Sequence, residues 1–187
     1  MSSRNTLIRS MHDVGVAAWF GGALMGAVAL NGATRQVRDD ANPIAVAASG
    51  WSRWSPVAAA AIGTHLVGGL GLVLANRDRV THQGGVGANT VLKTVLTGAA
   101  IASTAYSGIL GAQLAHEPIA SVDAATVPNP STPEHVARSQ QQLRILQWLT
   151  PVLTGALIVL GAQHGEQQKP TEIIKVVASK TIRRSRR

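Results

Sequence analysis

The sequence predicts an all-α protein, an integral membrane bundle of four transmembrane helices with a C-terminal amphipathic basic helix. Three observations carry this prediction: four long uncharged runs, a small share of charged residues, and a basic C-terminal segment. Charged residues make up 14% of the chain and hydrophobic residues 45%, whereas an ordinary soluble domain has about 25% charged residues. The alternative is an Ala-rich soluble helical protein, which would have to expose large apolar helix faces to water.

Each of the four uncharged runs is long enough to cross a bilayer as a helix, which takes about 20 residues. The uncharged runs are residues 14–34, 54–76, 94–115 and 145–163, and the predicted spans that contain them are residues 10–34, 54–76, 92–115 and 143–163. Together they form one membrane domain over residues 1–168. The first run is too long for the apolar part of a cleaved signal peptide, so it is predicted to be a permanent span.

The distribution of basic residues predicts the orientation. Four spans place both termini and the loop between the second and third spans on one side of the membrane. That side carries twelve of the 17 Lys and Arg residues. Basic residues are enriched in cytoplasmic segments, so the sequence predicts a multi-pass protein of the cell membrane with both termini in the cytoplasm.

The two connections on the opposite side are longer than tight turns. In the first, Pro43 opens a short apolar segment, and Trp51 and Trp54 are predicted to lie among the lipid headgroups as an aromatic belt. The second covers residues 116–134 and contains four prolines. This composition predicts an extended, mobile loop, with contact to a partner as the alternative. An N-cap-like sequence followed by an acidic residue predicts that the fourth helix begins near Glu134.

Residues 169–187 are predicted to form a basic tail next to the membrane. From residue 170 onward, its apolar and charged residues separate onto opposite sides of a helical wheel, which is typical of a helix lying on a membrane surface. Anionic lipid is the expected partner of the basic residues Lys180, Arg183, Arg184, Arg186 and Arg187. No aromatic platform or nucleic-acid-reading motif accompanies them, so nucleic acid is not predicted as a partner.

Small residues recur at helical spacing in the first three spans, which favours close packing of helices in lipid. The residues predicted to pack helix against helix are Gly22, Gly26, Thr64, Gly68, Ser103, Ser107 and Gly111. These faces pack either within the chain or against a partner, which is another membrane protein or a second copy.

Histidines are the main candidates for chemistry, because polar groups at membrane depth are costly and often functional. His65 lies near the middle of the second span, and His12 and His164 lie at the cytoplasmic side. An interhelical hydrogen bond, ligation of haem b or copper, and proton transfer are the alternatives for His65. No two histidines have a metal-ligand spacing on one helix, so a cofactor site requires convergence of His65 with His12 or His164.

The order of His12 and then Trp19-Phe20-Gly21-Gly22 resembles the opening helix of copper-resistance D-type membrane domains. It is also similar to uncharacterised small four-helix membrane families that begin with a histidine and a Trp-x-Gly-Gly run. The resemblance covers residues 12–22, and His12, Trp19, Gly21 and Gly22 carry over by position. It implies a four-helix membrane fold whose histidines contact copper or haem.

The sequence does not predict an enzyme, because it has no nucleophile elbow, HExxH motif, paired acids at span depth or nucleotide-binding motif. The predicted function is a non-catalytic structural or accessory membrane subunit without a cofactor. The alternative is a haem- or metal-binding, copper-resistance-like membrane protein. A small transporter or channel is the third option, and it requires a continuous polar path past His65, Thr64 and Ser103.

Overall fold

The computed structural model describes residues 3–37, 42–77, 84–117 and 122–166, without the side chains of residues 3–5, 84–86 and 164–166. This part of the chain contains four helices that are long and apolar enough to cross a membrane. The predicted all-α class is therefore confirmed. The basic tail lies outside the described residues, with its proposed lipid-binding residues Lys180, Arg183, Arg184, Arg186 and Arg187.

Helix α1 (Ser3–Met25) continues through a π-helical turn at Gly26–Leu30, the short helix α2 (Asn31–Ala33) and a 3-10 turn at Thr34–Gln36. The other long helices are α3 (Pro43–Ala75), α4 (Gly84–Ala115) and α5 (Glu134–Glu166). Strands β1 (Val122–Ala124) and β2 (Val127–Pro128) pair antiparallel between α4 and α5.

The long helices extend beyond the predicted spans. Helix α3 begins at Pro43 rather than at residue 54, because the short apolar segment continues directly into the span as one helix. Its start is capped by Asn42, whose side-chain oxygen accepts hydrogen bonds from the amides of Ile44 (2.9 Å) and Ala45 (3.3 Å). Pro43 fits the first helical position, where its missing amide hydrogen has no intrahelical partner to lose. The predicted start of the last helix at Glu134 is confirmed.

The four long helices pack in the order α3, α1, α5, α4, with the first and last only weakly in contact. Trp19 of α1, Ala61 of α3 and Ala100 of α4 form one buried apolar cluster near the middle of the bundle. Ile44, Leu114 and Val136 form a second cluster, near the β hairpin. The weak contact between α3 and α4 leaves a cavity between them, at the end of the bundle that carries the hairpin; we call this the hairpin end.

The prediction of an extended, mobile loop over residues 116–134 is wrong for the part that the structure describes. The hairpin folds onto the bundle, and Thr34 and Gln140 hold it there from two different helical segments. The Ala125 amide donates to the Thr34 hydroxyl oxygen at 3.0 Å, and the Gln140 side-chain amide donates to the carbonyl oxygens of Ala124 (2.9 Å) and Ala125 (3.1 Å). Both Thr34 and Gln140 are completely buried. These hydrogen bonds give the backbone amide and carbonyl groups of the turn partners that the turn itself does not provide.

Candidate functional site

Helices α1 and α3 approach so closely that their backbones touch at two glycines. A Cβ atom at Gly15 would lie 2.5 Å from the amide nitrogen of His65 and 2.6 Å from the carbonyl oxygen of Ala61. A Cβ atom at Gly68 would overlap the backbone of His12, lying 2.8 Å from its Cα atom. Neither position can accept a side chain without a shift of backbone, so the two glycines fix the separation of the helices.

His65 lies at this close contact and is buried, with 3% of its surface exposed. Its Nδ1 atom lies 3.0 Å from the carbonyl oxygen of His12, and its Nε2 atom lies 3.5 Å from the hydroxyl of Thr97 on α4. A carbonyl oxygen only accepts hydrogen bonds, so Nδ1 carries a proton and donates it. In a neutral ring, Nε2 then has the free lone pair. His65 therefore joins three helices through one imidazole ring.

His12 stacks on His65, with the ring centroids 4.2 Å apart and the planes tilted by 38°. Its Nδ1 atom lies 2.9 Å from a carboxylate oxygen of Asp13. Both rings thus have Nδ1 engaged by an oxygen, an arrangement that in metal sites leaves Nε2 to bind the metal. The two rings do not fit as a pair of haem ligands, because metal–nitrogen bonds of about 2 Å on each face would hold the centroids farther apart than this.

The third predicted ligand, His164, lies near the end of α5, and its side chain is outside the described part of the structure. Among the described residues, no group of three or more His, Asp or Glu side chains is arranged to hold a metal ion. His116 lies at the hairpin end, far along the bundle from His65. Of the three histidines considered from the sequence, the structure brings His12 and His65 together.

Gly22 and Gly26 of the first predicted packing motif contact tryptophan rings rather than a helix backbone. A Cβ atom at Gly22 would overlap the ring of Trp54, and one at Gly26 would overlap the ring of Trp51. Trp51 also donates from Nε1 to the side-chain oxygen of Asn31 at 3.0 Å. Both rings therefore pack against glycines of the neighbouring helix, and their predicted position in an aromatic belt among the lipid headgroups stays a prediction.

The remaining packing residues have different surroundings. Ser103 is buried and shares a 2.8 Å hydrogen bond with Thr150 of α5. The hydroxyls of Thr64 and Ser107 donate to carbonyl oxygens one turn earlier in their own helices, at 2.8 Å in each case. Gly111 lines the cavity between α3 and α4, and a Cβ atom there would meet nothing within 4 Å.

The cavity between α3 and α4 has a volume of about 620 Å³. Three of the four tryptophans line it, Trp19, Trp51 and Trp54, and small residues of α3 and α4 form its sides. At the hairpin end it is bordered by Asn31 and Gln147, whose side chains bond to each other at 3.0 Å. We call this space the α3–α4 cavity.

An apolar layer separates His65 from the α3–α4 cavity. Ala61 lies one turn from His65 toward Ala58, which lines the cavity, and Ala100 lies between Thr97 and the cavity-lining Thr104. Trp19 fills the space between them, donating from Nε1 to the Thr104 hydroxyl at 3.1 Å. A transport path past His65, Thr64 and Ser103 would have to cross this layer, and the transporter or channel function stays a prediction.

These features define a class: a predominantly helical chain with four helices able to cross a membrane, a buried histidine stacked on a second histidine, and an uncharged cavity. Comparison of the chain with protein-family models, with curated proteins and with solved structures finds no match. The resemblance of residues 12–22 to copper-resistance D-type domains stays a prediction.

Proposed function

We propose that the chain is a multi-pass protein of the cell membrane, with both termini in the cytoplasm, and that it acts as a non-catalytic accessory subunit. Large apolar side chains on the outward faces of all four long helices support insertion in lipid. Examples are Val14 of α1 (65% exposed), Leu70 of α3 (62%), Val95 of α4 (62%) and Val152 of α5 (65%). Water disfavours so extensive an apolar surface. The basic tail is proposed to bind anionic lipid on the cytoplasmic side.

The outward face of α4 supports the accessory function. Gly98, Ala102 and Ala105 recur there at helical spacing, and all three are exposed. A Cβ atom at Gly98 would meet nothing within 4 Å. Small residues let a second helix approach closely in lipid, where burial of apolar surface contributes little to association. We propose that a transmembrane helix of a partner membrane protein, or of a second copy, packs on this face.

Replacement of Gly98 with leucine tests this proposal. The Gly98→Leu side chain would occupy the position of the partner helix without disturbing the chain's own packing. Gly63→Leu on α3 is the matched control, because Gly63 is equally exposed and open. The measurement is the mass of the complex purified from native membranes in mild detergent. Wild type and Gly63→Leu should exceed the 19.4 kDa of one chain, whereas Gly98→Leu should not. A monomeric wild type, or a Gly98→Leu variant that keeps its partner, would refute the proposal.

Metal binding is the second candidate function, and one observation favours it. The Nδ1 atoms of His12 and His65 are both engaged by oxygen atoms, which leaves Nε2 to bind a metal; at His65 the ion would replace the Thr97 hydroxyl, 3.5 Å from that atom. Copper is the proposed ion, because imidazole nitrogen is among its preferred ligands. The proposed haem b alternative has no such support from the His12–His65 pair, whose rings are too close together.

An absorbance spectrum combined with elemental analysis of the purified protein tests the second candidate. Wild-type protein should retain copper after exposure to it and subsequent washing, and His65→Ala should lose it. His116→Ala is the control, because His116 lies at the other end of the bundle. Equal metal content in wild type and His65→Ala would refute metal binding at this site, and a haem absorption band that persists in His65→Ala would refute a haem function for His65.

A further inference from the structure

The α3–α4 cavity has the size of a ligand site. Its volume of about 620 Å³ lies within the roughly 300–1,000 Å³ of small-molecule pockets. Gly108 and Gly111 face it from α4, and a Cβ atom at either position would meet nothing within 4 Å. The space is therefore open up to the backbone of α4, and the chain itself does not fill it.

The lining selects a neutral ligand. None of the described residues that line the cavity is Asp, Glu, Lys or Arg, and the only titratable side chain among them is His116 at the hairpin end. A charged headgroup inside would have no opposite charge to offset the cost of leaving water. Most of the surface is instead apolar, formed by alanines, leucines and tryptophan rings.

Two amides provide the polar recognition in this lining. Asn31 is 8% exposed; its oxygen accepts from Trp51, and its nitrogen donates to the Gln147 oxygen at 3.0 Å. The Gln147 nitrogen donates to the Arg144 carbonyl oxygen at 3.2 Å. A primary amide nitrogen has two hydrogens to donate, so each of these amides has one donor left after its bond to a described residue. Amide donors recognise an acceptor such as a carbonyl oxygen.

The tryptophans add a preference for a flat ring. Trp51 and Trp54 pack against Gly26 and Gly22, and Trp19 is fixed by its bond to Thr104. Rigid aromatic walls pack well against a planar ring. We propose that the α3–α4 cavity binds a prenylated quinone, with the ring carbonyl near Asn31 and Gln147 and the prenyl chain extending between α3 and α4 into the lipid. This site is separate from the partner face on α4 and from the histidine pair.

Quenching of tryptophan fluorescence by a short-chain prenylated naphthoquinone tests the proposal. The full chain is reconstituted in nanodiscs with Trp148→Phe, which removes the one tryptophan outside the cavity and leaves three that line it. The quinone should quench the fluorescence of these three tryptophans, and the quenching should reach a plateau as the quinone concentration rises. Gly111→Leu fills the cavity and should weaken binding about tenfold or more. Gly98→Leu, on another face of the same helix, should bind as the parent does, and this result separates the cavity from the partner proposal.

Competing lipids identify the chemistry of the ligand. Diacylglycerol is neutral and has ester carbonyl groups but no ring, and phosphatidylglycerol has a charged headgroup. Preferential binding of the quinone over both supports the proposal. If diacylglycerol displaces the bound quinone as well as free quinone does, the cavity has no preference for a ring. If phosphatidylglycerol displaces the bound quinone, the cavity does not select a neutral ligand. Gly108→Leu is a second cavity-filling variant. Normal quinone binding by folded Gly108→Leu and Gly111→Leu would show that the quinone does not bind in the α3–α4 cavity.

Discussion

Gly15 of α1 lies directly against the backbone of His65 in α3, at the point where the His65 ring donates to the carbonyl oxygen of His12. The close approach of the helices and the histidine hydrogen bond are therefore one structural unit. A side chain at Gly15 would push α3 away and break the bond. The His65 hydrogen bond therefore requires the contact of the two backbones, and this is why the histidine is buried where they touch.

Gly15→Ala should destabilise the protein. The added Cβ atom would lie 2.5 Å from a backbone nitrogen, and overpacking of this kind costs about 1–3 kcal/mol. Gly63→Ala is the control, because its Cβ atom has open space and alanine favours a helix by about 1 kcal/mol over glycine. Thermal unfolding followed by circular dichroism in detergent compares the two. A Gly15→Ala variant as stable as Gly63→Ala would contradict the observed contact.

His65→Asn should retain more stability than His65→Leu. The asparagine amide can donate to the His12 carbonyl oxygen from a position close to that of Nδ1, whereas leucine cannot. The difference should be about 1 kcal/mol, the net contribution of one hydrogen bond. Unfolding free energies of both variants in the same detergent provide the measurement. If leucine is tolerated as well as asparagine, the hydrogen bond seen at 3.0 Å does not stabilise the bundle.

Thr34→Val should loosen the β hairpin while leaving the helices intact. Valine has a similar shape, but it cannot accept the Ala125 amide or donate to the Asn31 carbonyl oxygen, which lies 2.6 Å from the Thr34 hydroxyl. Leaving a buried donor without a partner costs about 1–3 kcal/mol. Hydrogen exchange of residues 122–128 should accelerate in this variant.

Thr94→Val is the control for the hairpin prediction, since the Thr94 hydroxyl is exposed and bonds only within its own helix at 2.9 Å. Exchange in the hairpin should then match wild type. Unchanged hairpin exchange in Thr34→Val would show that the Thr34 bond does not hold the hairpin in place.

Ser103 and Thr150 should be energetically coupled, because their 2.8 Å hydrogen bond joins α4 to α5 in a buried position. A double-mutant cycle with Ser103→Ala and Thr150→Val measures the coupling. Interhelical hydrogen bonds in lipid average about 0.6 kcal/mol, and a coupling of that order is expected. The pair Ser103→Ala and Thr94→Val should give none, and a similar value in both cycles would contradict the assignment.

The helices were predictable from the sequence because uncharged runs of spanning length have few alternatives. The residues at which the helices start were less predictable. The segment from Pro43 is only a weak hydropathy signal, and the Asn42 cap with Pro43 in the first turn marks the start of α3 better than hydropathy does. At the last helix, an N-cap-like sequence followed by the acidic Glu134 predicts the start, and there the prediction is correct.

The contacts between helices were less predictable, because spacing within one helix does not identify its partner. The helical spacing of small residues drew attention to Gly22 and Gly26, but what packs on them are tryptophan rings. Gly15, at one of the two points where the backbones touch, has no glycine three or four residues away in its own helix. The hairpin was missed because its stability comes from Thr34 and Gln140, which lie far from it in sequence.

The insertion and orientation of the bundle are the central claim, and labelling of single cysteines tests them most directly. The chain has no cysteine of its own, so Thr6→Cys and Ser131→Cys can each be labelled alone; both positions are exposed and lie at opposite ends of the bundle. In intact cells, a membrane-impermeant maleimide should label Ser131→Cys and should reach Thr6→Cys only after permeabilisation. Labelling of Thr6→Cys in intact cells would contradict the cytoplasmic termini, and recovery of the protein in the soluble fraction would contradict membrane insertion itself.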